Sequence, residues 1–311
     1  MSKSLKLVVK LVNMQLFRVK QQQKRNKTNW RKLIDIAGLS FLLTLSSPFI
    51  SYFPSYLPSL QVLAQSNDAK KAEADRLLQQ GIEQYQTSQY KAALQSFQEA
   101  LDIYREIKDR QGEGNALGCL GNAYSSLGDY LKAIEYHQQS LKIAREIKDF
   151  QGEGNALGNL GIDYSRMGDY PKAIDYYEQS LKIVREIKDL KGEGKSLDNL
   201  GVAYFHLGDY PKAIEYHQQS LKIALEIKDP RGEGAALVNL GNTYLSLGDY
   251  PKAIEYYEQS LKIVREIKDP GGEAYALGNL GIAYSSLGDL KAIEYHQQSL
   301  KILREIQDYQ G

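Results

Sequence analysis

A forty-residue self-similarity constrains the fold of this chain more than any other feature. The string from Gly112-Glu113-Gly114 to Glu146-Ile147-Lys148-Asp149 returns at 152–189, 192–229, 232–269 and, one residue short, 272–308. A divergent copy over 69–109 keeps Tyr90, Ala93, Phe97, Ala100, Leu101 and Arg105-Glu106-Ile107-Lys108-Asp109. A length of 311 residues alone suggests about two domains. A period of this size instead means one small unit stacked on itself, because such a unit cannot bury its apolar surface alone.

Apolar spacing divides each copy into two helices. Leu117, Leu120, Gly121 and Tyr124 follow i, i+3, i+4, i+7 and make one apolar face. Gly128-Asp129 then punctuates the chain. A second helix carries Ala133, His137, Ser140, Leu141, Ala144 and Ile147 on one face, and Pro171, Pro211 and Pro251 stand in its first turn, where a missing N–H is harmless. The pattern carries the second helix on through Arg145-Glu146-Ile147-Lys148 to Asp149 and makes the Gly-Glu-Gly runs the turns between copies. Gly121 and Ala133 are small enough to let two helix backbones approach. The fold class expected is all-α.

The spacing of Leu117, Leu120, Gly121, Tyr124, Ala133 and Leu141, together with Gly-Asp-Tyr-Pro-Lys-Ala-Ile-Glu-Tyr, resembles the tetratricopeptide repeat family over residues 69–311. The chain departs from the roughly 34-residue repeat in three ways: Leu stands for the first-helix Trp, Ser140 for a small Ala, and the second helix is longer. The longer period is similar to that of kinesin light chains and Pins-like scaffolds. The resemblance implies a right-handed superhelical solenoid of six repeats (69–109, 110–149, 150–189, 190–229, 230–269, 270–308). It also implies a protein or peptide partner held in a concave groove, with no catalysis by the repeats and no cofactor. Similar bacterial arrays precede caspase-like domains, so the alternative reading is the sensing part of an effector whose catalytic domain is absent.

Differences between such similar copies carry more information than recurrence. They cluster on the first helices at Asn115, Asn155, Lys195, Ala235, Tyr275; at Gly118, Gly158, Asp198, Val238, Gly278; and at Asn122, Ile162, Val202, Asn242, Ile282. Ser125, Ser165, Phe205, Leu245, Ser285 and Ser126, Arg166, His206, Ser246, Ser286 complete the set. The offsets fall within roughly a 100° stripe opposite the packing residues. Drift on a solvated face and a partner surface both produce such a stripe, and the resemblance favours the partner surface. Its chemistry is mostly neutral, which points to apolar contacts and backbone hydrogen bonds. The candidate partner-binding residues are Ile162, Arg166, Lys195, Val202, Phe205, His206, Val238 and Leu245, with Asn159, Asn199, Asn239 and Asn279 at the border. Phe205 is the expected anchor. The Asn series is either a ladder linking repeats or a set of ligand contacts.

No catalytic or metal-binding constellation emerges. His137, His217 and His296 occupy one equivalent position in alternate copies. Equivalent helices pack about 10 Å apart, so these histidines are too distant for zinc bonds of about 2 Å and read as packing or surface groups. Cys119 is the single cysteine, which excludes an intrachain disulfide. Ten Lys or Arg lie in residues 1–34, leaving 29 basic against 38 acidic residues in the remainder, so the body carries about −9 and nucleic acid is not an expected partner. The basic leader precedes an uncharged block, Ile36–Ser66, and Val62-Leu63-Ala64 closes it. That order is the pattern of an export signal or membrane anchor over 1–64, with 65–68 as a linker. The expected location is exported or membrane-anchored. In the last copy, Ile293, Leu300 and Leu303 should be partly uncovered and available for self-association.

Overall fold

The computed structural model describes residues 57–308, so the basic leader and most of the uncharged block lie outside the described residues. Twelve helices and no strand occur among them: α1 (Leu57–Gln86), α2 (Tyr90–Glu106), α3 (Arg110–Ser126), α4 (Tyr130–Ile147), α5 (Phe150–Arg166), α6 (Tyr170–Glu186), α7 (Leu190–His206), α8 (Tyr210–Glu226), α9 (Pro230–Ser246), α10 (Tyr250–Glu266), α11 (Pro270–Ser286) and α12 (Lys291–Asp308). Odd-numbered helices are the first, and even-numbered helices the second, of copies one to six. The expected linker 65–68 lies inside α1. Among the described residues no helix is long and apolar enough to cross a membrane.

Aspartates start the helices. Asp109, Asp149, Asp189, Asp229 and Asp269 each accept the amide of a glycine three residues on at 3.0–3.1 Å, satisfying a donor that has no partner within the helix. Two expectations are thereby corrected. The Gly-Glu-Gly runs are the first turn of each first helix, not the turn between copies. The second helices stop before Asp149 and its equivalents. Lys108, Lys148, Lys188, Lys228 and Lys268 take φ of 55–59°, a left-handed conformation that ends the helix and frees the aspartate to cap the next one. The turn within each copy closes as expected, on Gly128 with φ 83° followed by Asp129.

Packing within a copy rests on a ring seated on a glycine. A Cβ at Gly161 would lie 2.4 Å from Tyr177, and one at Gly121 or Gly201 would meet His137 or His217 as closely. Beside that contact, Ser140, Ser180, Ser220 and Ser260 donate to the carbonyl oxygens of Gly114, Gly154, Gly194 and Gly234 at 2.9–3.1 Å, which accounts for a serine where the family resemblance expects alanine. Ala133, Ala173, Ala213 and Ala253 are fully buried at the helix crossings. Between copies, Arg145, Arg185 and Arg265 pair with Glu153, Glu193 and Glu273 at 2.7–2.8 Å across the left-handed turn.

Each first helix from α3 onward packs on the second helices of its own and the preceding copy. From α3 onward, consecutive first helices also touch one another, whereas consecutive second helices do not. The repeat array therefore curves with its first helices inside, as solenoid geometry requires when one layer is packed more closely than the other. In α12, Ile293, Leu300 and Leu303 are 57%, 48% and 50% exposed, as expected.

Candidate partner-binding groove

The variable stripe lies on the inner, first-helix side of the array. Asn115, Asn155, Lys195, Ala235 and Tyr275 are exposed, and the next positions along the stripe are half-buried. Copies one to four enclose a groove cavity of about 560 Å³. Its lining includes Asn122, Asn155, Asn159 and Asn199 over a floor opened by Gly118 and Gly158.

The four border asparagines have different surroundings. Asn239 donates to Asp198 of the preceding copy, at 3.0 and 3.1 Å to the two carboxylate oxygens, and Asp198 also accepts from His217 Nδ1 at 2.8 Å. Asn239 is thus a link between copies four and five. The residue at the same offset from Asn199 is Gly158, and from Asn159 it is Gly118, so neither amide has that carboxylate before it. Both line the cavity instead. A Cβ at Gly118 or Gly158 would meet only a serine oxygen at 3.6 Å, an ordinary contact, so packing does not demand glycine at either place. Opposite Asn279 stands Val238, and the buried Asn279 Nδ2 finds no partner.

The apolar candidates divide in a similar way. Ile162, Val238 and Leu245 pack partly against the core, while Val202 is half-buried on the stripe. Phe205 is half-buried at the rim, its ring 5.4 Å from His206 and 5.7 Å from Tyr210. His206 in turn stacks on Tyr170 at 4.9 Å. Lys195 lines the groove cavity and also a second one of about 370 Å³ with Lys191, Arg231, Asp198 and Asp229, so charged groups of both signs face the groove in copies four and five. Lys191 and Arg231 were not foreseen, although Gln111, Gln151, Lys191, Arg231 and Gly271 vary at one position a helical turn before the stripe.

A buried polar network at the junction of copies two and three was also not foreseen. His137 Nδ1 lies 2.8 Å from Asp163 Oδ2, and Ser125 Oγ donates to Asp163 Oδ1 at 2.5 Å. Arg166 Nη1 donates to Ser125 Oγ and to its carbonyl oxygen at 2.9 and 3.2 Å. The available signal was Asp163 standing where other copies have Ala123, Ala203, Thr243 and Ala283. His137 and His217 are buried packing groups and His296 is exposed. Among the described residues no group of three or more His, Cys, Asp or Glu is placed to hold a metal ion. Cys119 borders the cavity, and burial pushes its thiol up to about 11. Such a thiol is a poor nucleophile at neutral pH.

A family model described as tetratricopeptide repeat matches residues 77–146, 112–186, 152–226, 192–266 and 232–305. The array is similar in fold to aspartyl phosphate phosphatase F from Bacillus subtilis, with 16% identity, a TM-score of 0.68 and coverage of 94% of this chain and 78% of that one. A Rap protein complexed with competence and sporulation factor superposes with a TM-score of 0.63 at 17% identity, covering 76% of this chain and 71% of that one. BtubC (BKLC) from P. vanneervenii gives 0.59 at 20% identity, over 78% and 92%. No curated protein sequence matched.

Proposed function

The chain belongs to the tetratricopeptide repeat family, and from that premise we propose that it is an interaction scaffold holding an extended segment of a partner protein along the first helices of copies two to four. The observation that carries this reading is the pair of amides, Asn159 and Asn199, facing a cavity whose floor is two glycines that packing does not require. Helical glycine costs about 1 kcal/mol relative to alanine. Glycine at a position where alanine fits is explained by something outside the fold that needs the space. A peptide main chain is the natural occupant, since its N–H and C=O groups match the amide side chains and the missing Cβ atoms permit close approach. The Rap protein complexed with its factor supports the idea that an array of this shape can hold a ligand.

Gly158→Leu tests the proposal, because its side chain would project into the groove from a site where the Cβ has room. Peptides selected from a synthetic decapeptide library on the parent array should lose binding to this variant while its helicity is unchanged. An exposed outer-face change, Lys182→Glu, should leave binding alone. Equal binding by the Gly158→Leu variant would remove the groove from consideration. We propose further that residues 1–64 export or tether the array, by the basic-then-apolar pattern of the sequence. A reporter fused after residue 70 should leave the cytoplasm or sediment with membranes, and a full-length soluble cytoplasmic reporter would overturn that.

A further inference from the structure

Asp163 has no exposed surface, and a buried carboxylate is unfavourable unless it is paired and hydrogen-bonded. Its partners run in one direction. A carboxylate only accepts, so Ser125 must give its hydroxyl proton to Oδ1, which leaves Ser125 Oγ free to accept from Arg166 Nη1 at 2.9 Å. His137 Nδ1 secures the other carboxylate oxygen at 2.8 Å. Asp163, His137 and Ser125 are 0%, 1% and 7% exposed, so three locked side chains fix one exposed arginine.

That arginine differs from its fellows. Arg105, Arg145, Arg185 and Arg265 each pair with a glutamate of the following copy. Arg166 instead gives one nitrogen to Ser125 and borders a cavity of about 140 Å³ whose wall includes Asn122, Asn159, Ser126 and also Asp163, whose two carboxylate oxygens are already taken by Ser125 and His137. Tyr85 fixes that wall through a 2.8 Å hydrogen bond to Ser126. A guanidinium has five donors in a planar fork that matches a carboxylate, and the cavity is of a size for one such group.

We propose that this cavity is a subsite for the side-chain carboxylate of a glutamate or aspartate in the bound segment, held by Arg166, with Asp163 and Ser125 as positioning residues. The proposal rests on the groove reading above and adds a charge requirement to it. Charge-assisted fork contacts are about twice as strong as neutral ones, so the acidic residue should matter by about tenfold in affinity, roughly 1.4 kcal/mol.

The test uses acetylated, amidated decapeptides scanned with Glu and with Gln at each position, measured against the full-length chain. The parent should prefer Glu over Gln about tenfold at one position. Arg166→Gln should abolish that preference and keep the affinity for Gln peptides, and Arg166→Lys should recover only part of it. Ser125→Ala removes the hydroxyl that holds Arg166 without changing the charge of the wall and should weaken the preference, and melting curves identify any loss of fold. A parallel measurement follows the Arg166 Nε–H resonance during titration with succinate. Peptides that bind with no Glu preference, or with one that survives Arg166→Gln, overturn the subsite and leave the groove intact. An Arg166-dependent preference for a free C-terminus over Glu overturns the side-chain assignment. No peptide binding together with no shift by succinate overturns subsite and groove reading alike.

Discussion

Gly158 and Gly161 stand less than one helical turn apart on α5, and replacing each with alanine should move stability in opposite directions. At Gly161 the new Cβ would lie 2.4 and 2.5 Å from ring carbons of Tyr177, itself only 3% exposed. A rigid ring clamped between helices cannot retreat, and overpacking of this kind costs about 1–3 kcal/mol. The helix-propensity gain of about 1 kcal/mol is set against that, leaving a net loss of up to about 2 kcal/mol. At Gly158 the nearest atom to the new Cβ is Ser180 Oγ at 3.6 Å, so the propensity gain of up to about 1 kcal/mol is kept. The propensity gain is common to both, so the two variants should differ by the overpacking cost, about 1–3 kcal/mol. Repeat arrays can lose cooperativity, so the assay pairs urea midpoints from circular dichroism with hydrogen exchange of the α5 amides. A Gly161→Ala protein as stable as Gly158→Ala refutes the claim that the ring contact selects glycine at one site and not at the other.

Asp163→Ala leaves His137 and Ser125 without their buried acceptor and should cost about 1.5–3 kcal/mol. Adding His137→Tyr should recover much of it, because the pair then copies Tyr177 and Ala203 at the next junction, and urea midpoints of the double-mutant cycle measure the coupling. Asn239→Ala loses two hydrogen bonds to a carboxylate and should cost about 1.5–3 kcal/mol, whereas Asn279→Ala removes an amide with an unpartnered nitrogen and should cost distinctly less by the same melts. Lys188→Gly relieves a left-handed residue and should be stabilising by up to about 1 kcal/mol in thermal unfolding. The Cys119 thiol is raised from 9.0 to about 11, so the unfolded chain ionises first. Stability should fall as pH rises from about 9 to 11, and a disulfide reagent at pH 8 should react far more slowly with folded than with unfolded protein.

The helices and their pairing were legible because apolar spacing repeats in every copy and Gly-Asp punctuation in copies two to six. The turns between copies were misread for a local reason. Glycine normally signals a turn, but Gly112 and its equivalents sit inside a helix, where the Tyr104 ring at Gly112 and the capping aspartate at Gly152, Gly192 and Gly272 crowd the third position, while the left-handed turn falls on Lys108-type residues that carry no such signal. The inner face was legible from where copies vary. Its subdivision was not, because the partner of each border asparagine lies forty-one residues back, and Asp198, Gly158 and Val238 decide in turn whether the amide is satisfied, open or stranded. Asp163 was visible as an exception among alanines. Its meaning needed the fold, which alone brings His137, Ser125 and Arg166 around it.

The most direct measurement of the central claim is hydrogen-exchange protection of the array on adding a library-selected decapeptide. Groove binding predicts added protection in α3, α5 and α7 with little change in the second helices α4, α6 and α8. Protection confined to the second helices, or located in copies five and six alone, would contradict it.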